Sequence, residues 1–315
     1  MVFCTRKGRA LWIVNFVGFL FFLWGAEPGF SEVPTGQSPW FGEIETGLIY
    51  DNNIFQEKDS RESDGIWESS LFFGYQLEKV FLSGTAVFDR YLENEVLNYA
   101  FYEVGVEAPL GLSNEVSLFF SFSPTAPLDK ADSGPPFELS SRSLTLLVDH
   151  ELFWGRIGFS FSVTRLSYSE AFEAKDSKII TLGPSLFYKW DDPWTLSVAA
   201  LFEKGQAAGG FISRQRDDIS YRAGVLSLQA RYELSSRLNV RLSYRVRHKR
   251  FTAEAADPIH AGRRDRYHMV LISADYALYP HIVLRPQIEE SWTRSSDPFV
   301  AFKERRLSLF TTYLF

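Results

Sequence analysis

The residues able to act on a solute are charged, and many recur at every second position. Glu43, Glu45, Glu68, Asp89, Glu103 and Glu107 lie early in the chain. Arg231, Arg241, Arg245, Arg247 and Arg285 lie late, with Asp275 and Glu289 among them. A step of two puts side chains on one face of a β-strand. Two such walls of opposite sign do not make bonds; they sort polar solutes by charge and orientation across a water-filled space. If the space is narrow, the same groups pair as buried salt bridges and fill it. For any one arginine, an ion pair with a carboxylate on a neighbouring strand is the plainer role.

Catalytic chemistry finds little support. The five histidines are His150, His248, His260, His268 and His281. His150 and His268 have outward parity on their strands, His248 and His260 fall in a loop, and His281 in a turn. None pairs with a serine at strand spacing, as an activated nucleophile requires. No phosphate loop, cofactor fingerprint or paired metal-ligand motif occurs. The acids Asp51, Glu57, Asp59, Glu62 and Asp64 read as solvated loop charge rather than a metal site. Cys4, the one cysteine, precedes the first apolar run, so the rest of the chain has no disulfide, thiolate metal site or cysteine nucleophile. The expectation is a protein that is not an enzyme, with no cofactor and no metal. A net charge of −6 gives no basic tract for nucleic acid.

Alternation of apolar and polar residues defines the elements that carry these charges. Strands are expected over Phe41–Tyr50, Gly65–Leu77, Val80–Leu92, Tyr99–Ala108, Glu115–Ser123, Arg142–Leu152 and Ile157–Tyr168. Further strands are expected over Ile179–Trp190, Trp194–Glu203, Ile219–Tyr232, Leu238–Arg247, Asp265–Leu278 and Ile282–Trp292, with a last one ending at Phe315. Long polar loops alternate with short turns such as Glu78-Lys79. The count is about fourteen, and a boundary error of about two to four residues leaves room for twelve or sixteen.

Aromatics make up 16% of the chain, yet beyond the first thirty or so residues no stretch is long and apolar enough to be a membrane helix. Trp40, Trp67, Trp154, Trp190, Trp194 and Trp292 fall at strand ends or turns, where an indole meets both an apolar and a wet surface.

The start reads as a secretory signal: Arg6, Lys7 and Arg9, then an apolar run from Ala10 to Trp24. Cleavage is expected after Ser31, with Ala26 the alternative, and residues 32–40 form a short lead-in to a domain over 41–315. A retained N-terminal anchor helix is the competing reading.

In the last stretch Leu307, Leu309, Thr311, Tyr313 and Phe315 share one face, almost wholly apolar. A final strand with alternate apolar residues ending in Phe resembles those of Gram-negative outer-membrane β-barrel proteins. The resemblance implies an all-β, transmembrane, antiparallel up-and-down barrel of porin-like type in the cell outer membrane. It implies outer-membrane lipid and lipopolysaccharide as surroundings, and the barrel-assembly machinery as a partner of the C-terminal strand. The function it suggests is a narrow channel for small polar or anionic solutes with the charged walls in its lumen. Tyr50-Asp51-Asn52-Asn53-Ile54-Phe55 resembles a segment of barrels associated with exopolysaccharide or surface assembly, which keeps a structural or polysaccharide-associated role open. The same run is an ordinary turn former.

Overall fold

The computed structural model describes residues 39–56, 58, 61–111, 113–127, 137–189, 193–208, 218–253, 257 and 260–315. The expected signal segment 1–31, most of the lead-in, Trp190, Glu57 and Asp59 lie outside the described residues.

Alternating residues in the described chain build fourteen strands. They are β1 (Trp40–Asp51), β2 (Asp64–Leu77), β3 (Val80–Tyr91), β4 (Tyr99–Pro109), β5 (Asn114–Pro127), β6 (Glu138–Leu152) and β7 (Gly155–Tyr168). There follow β8 (Ser177–Lys189), β9 (Trp194–Ala207), β10 (Tyr221–Ser235), β11 (Leu238–Phe251), β12 (Arg264–Tyr279), β13 (Ile282–Ser295) and β14 (Phe302–Leu314). Each pairs antiparallel with its neighbours in sequence, and β1 pairs with β14, so the sheet closes into a barrel with no free edge.

The seam has strict register from Glu43 opposite Leu314 to Asp51 opposite Arg306. At its lower end Gly42 and Phe315 exchange backbone hydrogen bonds of 2.8 and 2.9 Å. The tip of the Phe315 ring lies where a Cβ on residue 42 would stand, so a larger residue there must displace that ring. Phe41 and Phe81 cover Gly74 in the same way on the inner face. Rings laid over strand glycines replace the missing side-chain packing.

The start of β1 and the end of β14 lie beside the short turns. By the rule for such barrels that end is periplasmic, and the long-loop end is extracellular. The outward side chains of the mid-strand form a continuous apolar band, including Leu48, Leu71, Phe73, Val104, Leu118, Phe120, Phe159, Leu242, Ile272 and Leu309, all exposed. On a closed barrel such a band meets lipid.

Several strands run further toward the extracellular end than alternation suggests. β11 continues from Arg247 to Phe251, β9 from Glu203 to Ala207, and β13 from Trp292 to Ser295; β6 begins at Glu138 and β14 at Phe302. His248, expected in a loop, therefore sits on β11 and points outward. β10 departs the other way, starting at Tyr221 rather than Ile219. Above the lipid both faces of a strand are wet, so the apolar alternation fades while the backbone ladder persists.

Candidate functional site: a charged lumen

Inward parity places Glu43 and Glu45 on β1, Glu68 on β2, Asp89 on β3, and Glu103 and Glu107 on β4. It places Arg231 on β10, Arg241, Arg245 and Arg247 on β11, and Arg285 on β13. The expectation that the walls simply oppose one another across the lumen needs correction. Ring closure makes β10 to β14 and β1 to β4 one contiguous arc, so the walls also meet through β14.

They meet at Arg285. Its Nη1 donates to Glu45 Oε2 at 2.7 Å and its Nε to Asp275 Oδ1 at 2.5 Å. Thr312 on β14 donates to the same Glu45 oxygen at 2.6 Å, and Arg241 lies 3.7 Å from Asp275. This network lies in the periplasmic half. Arg285 keeps 23% of its side chain accessible there, so the groups remain wet.

The acids of β2 to β4 are arranged differently. Glu68 and Asp89 are direct cross-strand partners, two carboxylates side by side. Among the described residues no base pairs with Glu68, Asp89, Glu103 or Glu107.

The remaining arc, β5 to β9, presents Ser117, Ser121, Ser143, Thr145, Ser162 and Thr181 inward. Hydroxyls offer hydrogen bonds without net charge. The lumen thus has a densely charged arc and an arc richer in hydroxyls, where charge is limited to groups such as Asp149, Arg156 and Glu203.

The extracellular half is tightly packed. Arg245, Arg247 and Lys249 on β11 are buried, at 3%, 6% and 8% exposure. Arg247 pairs with Glu203 on β9 and donates to Tyr221 Oη at 3.0 Å. Lys249 stands 4.0 Å over the Tyr221 ring and 4.3 Å over that of Phe251, a cation–π arrangement. Arg263 grips Asp265 with two bonds of 3.0 and 2.9 Å. Phe137, Leu139, Leu166, Tyr168 and Ile179 form one apolar cluster, and Ile219, Tyr221, Ala223 and Phe251 another.

The top of the seam is latched by buried polar groups. Arg306 Nε lies 2.9 Å from Asp51 Oδ2, and its Nη2 2.7 Å from Glu304 Oε1. Asp51 Oδ1 accepts from the Asn53 backbone N–H at 2.9 Å. Asn53 Nδ2 donates to the Lys303 carbonyl at 2.9 Å, and Asn52 Oδ1 accepts from the Arg305 N–H at 2.8 Å. The Asp-Asn-Asn run therefore turns the chain and fastens the first loop to β14. Glu203, Lys249, Asp265, Glu304, Arg306 and Tyr221 did not stand out in the sequence as lumen groups; Lys249 and Glu304 fell in expected loops, and the other four lay within expected strands without a visible partner.

Five of the expected interface tryptophans are described. Trp40 lies 4.3 Å from Tyr75, Trp154 5.7 Å from Tyr188, and Trp194 4.5 Å from Tyr232, centroid to centroid. All three pairs sit at the periplasmic rim. Trp67 and Trp292 lie near the other rim, Trp292 stacked on His268 at 5.1 Å. His268 Nδ1 also lies 2.9 Å from Tyr244 Oη. Leu307, Leu309, Tyr313 and Phe315 are exposed on the outer face of the closing strand segment.

No family model and no curated protein matches the chain. Solved structures do. The outer membrane channel DcaP of Acinetobacter baumannii aligns at 12% identity over 88% of this chain and 96% of its own, with a TM-score of 0.53. A bacterial polysaccharide outer membrane secretin aligns at 10% identity over 87% and 97%, with a TM-score of 0.54. OmpT, an outer membrane protein of Vibrio cholerae, aligns at 10% identity over 88% and 96%, with a TM-score of 0.50. At such identities the likeness concerns the fold. Closed barrel, apolar band and shared fold define the chain as an outer-membrane β-barrel of porin-like architecture.

Proposed function

We propose that the barrel is a passive, non-enzymatic channel for small polar or anionic solutes, wide on the periplasmic side and constricted in its extracellular half. The observation that carries this reading is the row Arg241, Arg245, Arg247 and Lys249, at alternate positions of β11. The row runs from the accessible half of the lumen into the packed half. A solute following it meets basic side chains at 241, 245, 247 and 249, with Ser243 between the first two, opposed by hydroxyls and by the acids of β2 to β4. Such a path orients a polar molecule as it passes. The periplasmic Trp–Tyr pairs fix the barrel's depth in the bilayer. The C-terminal strand face of Leu307, Leu309, Tyr313 and Phe315 is the segment offered to the assembly machinery, and lipopolysaccharide is the outer-leaflet partner.

The test is the reversal potential of the refolded barrel in a planar bilayer under a salt gradient. Anion preference that falls when Arg241, Arg245 and Arg285 become Ala supports the reading. A cation preference unchanged by those substitutions contradicts it.

A second reading has its own support: the packed extracellular end suits a barrel that works through its loops on surface polysaccharide. A folded but electrically silent barrel would favour it.

A further inference from the structure

The outer surface carries a pattern that conduction does not use. On β6, Arg142 stands opposite Arg165 of β7, which stands opposite Lys178 of β8. Further round, Lys204 of β9 faces Arg222 of β10, which faces Arg250 of β11, which faces Arg264 of β12. One step lower, His248 faces Arg266, and Arg266 faces Arg294 of β13. All of these side chains are exposed and point out of the barrel. On β14, Lys303 and Arg305 share Glu290 at 2.7 and 2.8 Å. Among the described residues no ion pair involves Arg165, Lys178, Arg222, Arg250, Arg264 or Arg266.

Like charges directly opposite one another destabilise a sheet. An outward row of them across strand after strand is therefore unfavourable in water alone. It becomes favourable beside an anionic layer.

Height identifies that layer. Each basic residue lies roughly a dozen residues up its strand from the periplasmic turn, which at a tilt of about 40° is about 30 Å. That matches the thickness of a bilayer's hydrocarbon core. The steps of two residues between rows follow the strand tilt and keep the belt level. Directly beneath it the outer face is apolar, with Leu144, Phe161, Leu182, Phe202, Leu226 and Ile272. At the same height β1 to β5 present Tyr50, Trp67 and Phe122, and Leu92 follows the end of β3, with Arg90 the one base among these described positions.

We infer that the β6 to β14 arc binds phosphorylated amphiphiles of the outer leaflet, their phosphates on the basic belt and their acyl chains on the apolar band below. The β1 to β5 arc does not. This rests on the outer-leaflet partner proposed above and assigns that partner a place; it is independent of conduction.

The experiment is thermal unfolding of the full chain refolded in detergent, with bisphosphorylated lipid A, with the same lipid dephosphorylated, and with inorganic phosphate. Wild type is expected to shift upward with bisphosphorylated lipid A alone. Arg222→Gln, Arg250→Gln and Arg264→Gln together are expected to lose most of that shift, whereas Arg90→Gln keeps it. Arg250→Glu is expected to raise the midpoint without lipid, by relieving Arg222 and Arg264, and to lower the response to lipid. An equal shift in wild type and the triple variant would keep the partner and overturn the site. No shift in wild type would overturn both. An equal response to inorganic phosphate or to the dephosphorylated lipid would overturn the amphiphile assignment.

Discussion

The two halves of the lumen are built from the same residue types and behave differently. In the periplasmic half Arg285 bridges Glu45 and Asp275 while remaining partly accessible. In the extracellular half Arg306 bridges Asp51 and Glu304, both almost wholly buried. A hydrated pair adds little to stability and leaves its charges available to a passing solute. A buried pair that loses one partner leaves an uncompensated charge. For the channel proposed above, the lower half would supply hydrated charge to a passing solute and the upper half a rigid, narrow surround.

Substitutions that remove one member of each bridge separate the two halves most sharply. Arg306→Ala should cost about 3–5 kcal/mol, because it strands two buried carboxylates. Arg285→Ala should cost about 1 kcal/mol or less, since water reaches that pair, while changing ion selectivity. Urea unfolding of the two variants measures the gap, and equal costs would remove the distinction. Next in size, Leu118→Arg on the lipid face should cost about 2–4 kcal/mol in bilayers. Gly42→Val should cost about 1–3 kcal/mol by displacing the Phe315 ring at the seam, read from heat-modified gel mobility and urea midpoints. The smallest effect concerns the acids. Glu68→Gln should stabilise by about 0.2–1 kcal/mol by relieving the like-charged neighbour Asp89.

Much of the barrel was legible in the chain because lipid outside and a polar lumen inside impose a period of two. β1, β4 and β11 show this in their alternate residues, and parity alone indicates that Arg241, Arg245 and Arg247 share a face. The upper strand ends were not legible. There Lys249, Arg250 and Phe251 extend β11 with no apolar alternation to mark it. The ion pairs were not legible either, since they depend on ring closure. Arg285 reaches Glu45 across 240 residues of sequence, and Arg306 reaches Asp51 across 255. The Asp51-Asn52-Asn53 run could be read as a turn, but not as the fastening of that turn to β14.

A continuous path, open below and narrow above, is examined by single-channel recording with one thiol introduced at a time. Cys4 is replaced by Ser beforehand, and Ser83→Cys and Ser291→Cys are compared. Ser83 is a half-buried inward position near the periplasmic start of β3, and Ser291 a buried inward one in the extracellular half of β13. Steady conductance is expected, with rapid block of Ser83→Cys by a bulky thiol reagent added on the periplasmic side and slow block of Ser291→Cys from either side. A folded barrel without conductance, or equal block rates at the two positions, would contradict it.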